Sequence, residues 1–324
     1  MPVFPKPKFA YDFDPVAEIA RLQQHKLTRG IPAKAQNRLL FATWNIANFG
    51  AQERQDKHLM LIAETLKWFD LIAIQECREN FGHLDKLQKL LGGPWRLLFS
   101  DVAGNDERMA FVYDSGKLTL LEKIGEIAFP VAQLKNVKLP GIKAKFEGFD
   151  RNPYLATFSA GPNKLSFLFV NVHLYWGPQT PAAKKKASMD RRTLETYAVA
   201  LWAEKRLKSP FSFTRDVIAL GDFNMPKRGP SDPVFKALTA KGLHVPQHSA
   251  GVGSNLAGDA HYDQIAFFPG ETQTHFTGNH GVFDFDAVVF ADLWNGGQGK
   301  KKFNTYVKYY LSDHRPMWME FRTA

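Results

Sequence analysis

One stretch, residues 217–226, constrains the fold and the chemistry of this chain more than any other. The apolar run 217–220 is typical of a buried strand. Gly221 then allows a close backbone turn, and Asp222 and Asn224 follow at the carboxyl end of the strand, where alternation places their side chains on one face. A carboxylate and an amide at one place suit a phosphate held beside a hard metal ion. Gly, Asp and Asn are also ordinary turn residues, so this stretch alone leaves both interpretations open.

Apolar runs that end in polar residues recur along the chain. The predicted strands are 39–44, 71–74, 95–99, 109–113, 118–121, 154–159, 165–172, 217–220, 261–267 and 317–321. Leucines at helical spacing predict amphipathic helices after the first two strands. Few helical patterns separate the strands from 95 to 172, which favours antiparallel pairing there. Because strand ends in α/β sheets converge on one crevice, the polar residues that follow the strands are expected to meet.

The chain is organised as an N-terminal arm followed by one large unit. Residues 1–38 are rich in Pro, Lys and Arg and contain a possible short helix between residues 14 and 25, so we expect an arm that lies over the surface. Residues 39–324 contain no internal repeat, low-complexity tract or clear linker, which predicts a single domain.

Composition is that of a soluble globular protein with a basic surplus. The 324 residues are 44% hydrophobic and 23% charged, and the net charge is +10. That surplus favours a polyanionic partner, nucleic acid or an anionic surface. We expect no membrane span, because no apolar run approaches the roughly 20 residues that one needs, and no protein partner is evident. The N-terminus has no apolar signal core, which predicts a cytoplasmic protein, and the only cysteine, Cys77, is interpreted as a structural thiol.

A long helix is predicted over residues 180–207. Thr180 is expected to be its N-cap with Pro181 at the first helical position. The apolar side carries Leu194, Tyr197, Ala198 and Leu201. The other faces carry Lys184, Lys185, Lys186, Arg191, Arg192, Lys205 and Arg206, which suit either a solvated face or contact with a phosphate backbone.

Collected in order, the polar residues at the strand ends form a recognisable set. They lie in the motifs Trp44-Asn45, Gln75-Glu76, Val172-His173, Gly221-Asp222-Phe223-Asn224, Tyr262-Asp263 and Ser312-Asp313-His314. This set resembles the endonuclease/exonuclease/phosphatase superfamily over residues 39–321. The resemblance implies an α+β sandwich of four layers, in which two packed, mostly antiparallel β-sheets carry helices on their outer faces. It also implies metal-dependent hydrolysis of a phosphoester.

The resemblance assigns a role to each of these residues. Glu76 is implied to be the main ligand of one or two Mg²⁺ or Mn²⁺ ions, assisted by Asn45 and Asp313. The implied catalytic residues are His173, Asp222, Asn224, Asp263 and His314. Among them Asp222 would orient or deprotonate water, Asn224 would bond a phosphate oxygen, and His173 would contact the phosphate or protonate the leaving group. His314, held by Asp263, would be a base or a phosphate contact, and the sequence does not choose between them.

Three further residues are predicted to bind substrate. Glu107 and Arg108 precede the strand 109–113, and in pancreatic-type deoxyribonucleases a Glu at the comparable place pairs with the His that matches His173. Arg151 lies in a segment that resembles a family segment near the substrate. A solvated loop carboxylate is an equally good interpretation of Glu107.

The leading hypothesis is a metal-dependent phosphodiesterase that acts on nucleic acid, with DNA favoured. Gly-Asp-Phe-Asn followed by Met-Pro lacks the Arg expected of inositol-polyphosphate phosphatases, and Tyr262 lacks the preceding Arg typical of abasic-site endonucleases. The alternative is a phosphatase or phosphodiesterase for a small or lipid phosphoester. A third interpretation is a catalytically silent nucleic-acid-binding protein on the same fold.

Overall fold

The computed structural model describes residues 3–163, 165–247, 251–295 and 299–323, so the first two residues of the predicted arm and the last residue of the predicted domain lie outside the described residues. The helices are α1 (Pro15–Thr28), α2 (Asp56–Lys67), α3 (Gly82–Leu91), α4 (Val131–Leu134), α5 (Ala182–Lys208), α6 (Pro233–Thr239), α7 (Glu271–His275), α8 (Ala291–Trp294) and α9 (Gly299–Tyr310). The strands are β1 (Arg38–Phe49), β2 (Leu71–Cys77), β3 (Trp95–Phe99), β4 (Arg108–Asp114), β5 (Leu118–Glu126), β6 (Tyr154–Ala160), β7 (Leu165–His173), β8 (Val217–Asp222), β9 (Asp263–Phe267), β10 (Phe276–Val282) and β11 (Met317–Arg322).

These strands form two mixed sheets, and the predicted α+β sandwich is confirmed. The first sheet has the order β10-β11-β1-β2-β4-β3 and the second β5-β6-β7-β8-β9. Each sheet has one parallel pair, β1 with β2 and β7 with β8, and the other pairs are antiparallel. The polar residues at the carboxyl ends of each parallel pair therefore lie at the same edge of the sheet.

Alternation along the strands explains the four layers. On β1, Leu39 and Phe41 belong to a core cluster shared by both sheets, whereas Leu40 and Ala42 pack with α2 and α9 on the outer side. On β8 the residues likewise alternate between the shared cluster and a cluster with α5 and α6. The strands read as continuous apolar runs because both of their faces are buried.

The N-terminal segment packs closely on this sandwich. Asp14 caps α1 by accepting a hydrogen bond from the Val16 amide at 2.9 Å. Leu22 and Ile31 are buried in the outer cluster of the first sheet. The boundary at residue 38 between an arm and a domain stays a prediction. None of the described helices has both the length and the apolar character that crossing a bilayer requires.

Some sequence-based details are wrong. The long helix α5 begins at Ala182, because Pro181 takes the extended N-cap conformation that we predicted for Thr180. Strand β10 was missed, since its Gly and Asn residues disfavour strands and only pairing with β11 defines it. Helix α9 was also missed, although Phe303, Tyr306 and Val307 stand at helical spacing.

Candidate functional site

The sheet topology gathers the polar residues at one end of the sandwich. Strands β1, β2, β7 and β8 end there, and β4, β9 and β11, which are antiparallel to them, begin there. The register pairs His173 with Asp222 and Asp222 with Asp263. Residues more than 200 positions apart thus become neighbours: the Ser312 hydroxyl, just before β11, donates a hydrogen bond to the carbonyl of Asn45 on β1 at 2.6 Å.

Asp222 lies at the centre of the site and is fully buried. Its Oδ2 accepts a hydrogen bond from Nδ2 of Asn45 at 3.1 Å, and its Oδ1 accepts one from the backbone amide of Asn224 at 2.7 Å. The Nε2 atoms of His173 and His314 lie 3.6 and 3.9 Å from Oδ2. Burial opposes the charged form of Asp222, but the two imidazoles outweigh it and hold the pKa of this carboxyl below its usual value.

Glycine is required just before Asp222. Gly221 has a φ of +139°, and a Cβ at this position would lie 2.1 Å from the carbonyl oxygen of Val172 on the neighbouring strand. Any side chain would therefore separate β8 from β7 at the point where Asp222 and His173 are paired.

Each of the two histidines is paired with its own carboxylate. Nδ1 of His314 lies 2.8 Å from Oδ2 of Asp263, and the Trp44 indole donates a hydrogen bond to the His314 carbonyl. Burial would lower the pKa of His314, but the carboxylates of Asp263 and Asp222 raise it well above its ordinary value. With Nδ1 directed at Asp263, Nε2 is the ring nitrogen that faces Asp222.

The second pair is formed by His173 and Glu107. Nδ1 of His173 lies 2.9 Å from Oε2 of Glu107. Nη1 of Arg151 lies 3.4 Å from the same oxygen, and Nη2 of Arg78 lies 3.3 Å from Oε1. Burial would raise the pKa of Glu107, but the charges of His173 and Arg151 lower it to about 2. Arg78 was not singled out in the sequence.

The predicted substrate-binding residues Glu107, Arg108 and Arg151 make contacts with protein groups, and their role toward substrate stays a prediction. Glu107 and Arg151 are each 2% exposed. Arg151 donates to the carbonyls of His173 and Leu174 at 2.9 and 3.0 Å, so its guanidinium supports the end of β7. Arg108 donates to the Ser100 carbonyl at 3.0 Å. The contacts of Glu107 and Arg151 favour positioning of the site over direct contact with substrate.

The predicted metal ligands lie on the β1–β2 side of Asp222. Oε1 of Glu76 accepts a hydrogen bond from Nδ2 of Asn45 at 3.0 Å, and Oε2 accepts one from the backbone amide of Asn48 at 2.8 Å. Glu76 adopts a left-handed conformation with φ +62°, which costs about 1 kcal/mol for a residue with a side chain. Burial raises the pKa of Asp313. The charge of His314 opposes this shift, and the charge of nearby Glu76 adds to it.

This group of oxygens fits a hard divalent cation. Oδ1 of Asn45 and Oδ1 of Asp313 are buried without a hydrogen-bond partner, which is costly unless a further ligand is bound. Carboxylate and amide oxygens are the donors that Mg²⁺ and Mn²⁺ prefer. Two clusters among the described residues bring three possible ligand atoms within 4.8 Å of one another: Glu76 with Glu107 and His173, and Asp222 with Asp263 and His314. The first shares Glu76 with the predicted metal set.

Asn224 is held by residues that the sequence did not identify. It has a φ of +51°, and its Nδ2 donates to the Leu174 carbonyl at 2.8 Å. Its own carbonyl accepts a hydrogen bond at 2.7 Å from Nη1 of Arg192, whose Nε donates to the Tyr175 carbonyl at 2.9 Å.

Arg192 therefore fits neither interpretation offered for the basic residues of α5, a solvated face or contact with a phosphate backbone. Its side chain is 1% exposed and connects α5 to the two loops that follow β7 and β8. Helical spacing provided a signal, because residue 192 lies four positions before Thr196 and seven before Val199, both of which are buried on the side of α5 that faces the sheet.

Comparison with known proteins gives matches only at the level of three-dimensional structure. No family model matches the chain, and no curated protein matches its sequence. An endonuclease/exonuclease/phosphatase family protein from Bacteroides thetaiotaomicron superposes with a TM-score of 0.53 at 16% identity, covering 89% of this chain and 98% of that one. The chain has the endonuclease/exonuclease/phosphatase fold.

Two further structures share the endonuclease/exonuclease/phosphatase fold with this chain. The human Nocturnin catalytic domain with bound sulfate has a TM-score of 0.54 at 14% identity, over 89% of this chain and 96% of that one. D. rerio TDP2 complexed with a single-strand DNA product has a TM-score of 0.55 at 14% identity, over 88% of this chain and 99% of that one. The shared fold therefore extends over most of both chains, although few residues are identical.

Proposed function

We propose that this protein is a divalent-metal-dependent phosphodiesterase that acts on nucleic acid, with DNA as the favoured substrate. The proposal rests on the arrangement of the groups that surround Asp222. A buried carboxylate stands between the Nε2 atoms of two histidines, and each histidine is backed by a carboxylate at 2.9 or 2.8 Å. Two such dyads that converge on one acid suit proton transfer at a tetrahedral anion.

The chemistry of phosphodiester hydrolysis explains the need for this arrangement. Water must approach the phosphorus in line with the leaving oxygen, and the negative charge of the phosphate repels it. In the proposed reaction Asp222 orients the water and accepts its proton, while the P–O bond to the leaving group breaks. His173 donates a proton from Nε2 to the departing oxygen. His314 and Asn224 contact the non-bridging phosphate oxygens.

The metal would be held by Glu76, Asn45 and Asp313. A bound Mg²⁺ or Mn²⁺ ion would neutralise phosphate charge and stabilise the developing negative charge. The unpaired buried oxygens of Asn45 and Asp313 support this assignment. The chain itself fixes the geometry, since Asn45 donates to both Glu76 and Asp222 and so connects the ligand set with the catalytic carboxylate.

Two observations support a nucleic acid as the substrate. The net charge of +10 favours binding of a polyanion, and the affinity should fall steeply with salt because phosphate contacts release counterions. A protein of the same fold, D. rerio TDP2, has been solved with a single-strand DNA product.

The test is cleavage of supercoiled plasmid DNA by the full chain, with Mg²⁺ and with EDTA. Nicking is expected with the metal and not with the chelator. Asp222→Asn should lower the rate at least about 100-fold, since it keeps the shape and removes the charge. Asp85→Asn, on the exposed side of α3, is the matched control and should retain the wild-type rate.

Other outcomes assign other functions. If plasmid and a single-stranded oligonucleotide both stay intact with Mg²⁺ and Mn²⁺ while bis-(4-nitrophenyl) phosphate is cleaved, the nucleic-acid part of the proposal is wrong and a small phosphoester becomes the substrate. If none of the three is cleaved, the catalytic proposal is contradicted and a binding protein on this fold is favoured.

A further inference from the structure

A large cavity opens beside the candidate site. Its volume is about 850 Å³, within the range of about 300–1,000 Å³ that ligand pockets usually have. It is formed by the segment after β10, by α8 and α9, and by the loop before β9, none of which contributes a catalytic residue. Of the residues assigned to the proposed reaction and to the metal, only Asp313 lines the cavity.

The cavity and the candidate site share a wall. Asp313 and Tyr262 line the cavity, and both are next to His314 in space or in sequence. The Tyr262 and His314 rings have centroids 5.6 Å apart. A phosphate bound beside Asp222 would therefore have its next chemical group at the entrance of the cavity.

The walls of the cavity are held together by contacts within the protein. Arg315 forms a bidentate ion pair with Asp286, with both N···O distances at 2.6 Å. The same guanidinium donates to the carbonyls of Gly253 and Leu256 at 3.0 and 3.3 Å. Arg315 therefore holds together the loop before β9 and the segment after β10, and its hydrogen-bonding groups are used by the protein.

The remaining lining has the groups that bind a nucleotide. Trp294 is 47% exposed, and its ring is held edge-to-face against Phe303 with centroids 5.1 Å apart. A fixed and accessible indole is a good stacking surface for a base. Lys300 and Lys308 provide positive charge for a second phosphate, and the amides of Asn295 and Asn304 can bond the edge of a base.

We propose that this cavity is a nucleotide subsite, in which Trp294 stacks on the base next to the phosphate that is cleaved. A base can reach this surface only when it is unstacked from its neighbours, so the subsite favours single-stranded over double-stranded substrate. The proposal rests on the proposed function for the position of the scissile phosphate, but binding of a nucleotide in the cavity can be measured without catalysis.

The experiment measures binding of adenosine 5′-monophosphate and of a short single-stranded oligonucleotide to the full chain in EDTA, by calorimetry. Trp294→Ala should weaken both affinities about tenfold, and Trp294→Phe should restore most of the loss. Phe211→Ala is the control, because Phe211 is 95% exposed and lines a different cavity, and its variant should bind like wild type. A duplex of the same sequence should bind more weakly than the single strand.

The outcomes separate the two proposals. Equal affinities of wild type and Trp294→Ala for the mononucleotide, or no measurable binding by wild type at millimolar concentration, would overturn the subsite even if plasmid is nicked. Tenfold weaker binding by Trp294→Ala would support it even if plasmid stays intact. If the oligonucleotide is cleaved, Trp294→Ala should raise KM about tenfold and leave kcat within about twofold.

Discussion

Nε2 of Gln75 donates a hydrogen bond to Oδ1 of Asn171 at 2.6 Å, which joins the central strands of the two sheets directly behind the site. Nδ2 of Asn171 in turn donates to the carbonyls of Ile74 and Ala110 at 3.2 and 2.9 Å. In a core that is otherwise apolar, this buried network fixes how β2 and β7 face each other. The adjacent residues, Glu76 and His173, are thereby held at a defined separation.

Loss of this network should destabilise the protein. Asn171→Ala removes three buried hydrogen bonds, those with Gln75, Ile74 and Ala110, so the free energy of unfolding should fall by about 1–3 kcal/mol. Urea denaturation measures the change. The control is Asn152→Ala, whose side chain makes an exposed contact with Glu126 and should change stability by about 0.5 kcal/mol or less. Equal effects of the two substitutions would contradict the structural role of Asn171.

Buried Arg192 and its neighbour Arg191 provide a matched pair of substitutions. Arg192→Lys cannot reach both the Tyr175 and the Asn224 carbonyls, so a buried acceptor is left unpaired. We expect a loss of about 1–3 kcal/mol in stability and a lower kcat, because the loop that carries Asn224 is released. Arg191→Lys alters a half-exposed ion pair and should cost about 1 kcal/mol or less. Denaturation and turnover measurements should show a larger loss for Arg192→Lys than for Arg191→Lys. The reverse order would contradict the assignment.

The dyad of Asp263 and His314 should be required for activity and not for folding. Asp263→Asn keeps the size of the side chain but removes the charge that holds the His314 ring 2.8 Å away. We expect kcat to fall by about 10²–10⁴-fold in hydrolysis of the substrate that wild type cleaves. Circular dichroism should show an unchanged fold. Wild-type kcat in a folded Asp263→Asn protein would exclude this dyad from the reaction.

Stability should decrease on mild acidification because of His58. This ring is buried between Tyr306, whose hydroxyl lies 2.8 Å from Nε2, and the amide of Gln55, which donates to Nδ1 at 3.2 Å. Burial, with smaller effects of nearby cations, lowers the pKa of His58 to about 3, whereas the unfolded chain titrates near the ordinary value of 6.5. The unfolded state therefore binds more protons between these two pH values, and stability falls as pH decreases through that window.

The size of this effect is measurable by urea denaturation at a series of pH values from 7.5 to 4.5. Below pH 6.5, His58 should contribute up to about 1.4 kcal/mol of lost stability for each pH unit. His58→Phe should be less stable at pH 7.5, because it loses two hydrogen bonds, but it should show a smaller slope with pH. The same slope in both proteins would mean that His58 is not buried as a neutral ring.

Local sequence predicted ten of the eleven strands among the described residues, together with the polar residues at their ends. Runs such as 217–220 predict strands because a strand buried on both faces has no polar alternation. Their terminal polar residues, including Glu76, His173 and Asp222, meet because parallel strands end at one edge of a sheet. Strand β10 was not predicted, because its Gly and Asn residues disfavour a strand and only pairing with β11 imposes that conformation.

The sequence by itself determined which polar residues lie close to strand ends, and hence the expectation that Asn45, Asp222 and His314 belong to one edge of the fold. Only the tertiary structure decided how their side chains are paired. Glu107 is buried against His173 and two arginines, Arg192 turns inward, and Glu76 adopts a positive φ. The physical reason is that the burial of a side chain and its charged partners depend on segments far apart in sequence. The position of a strand and of its end depends on adjacent residues.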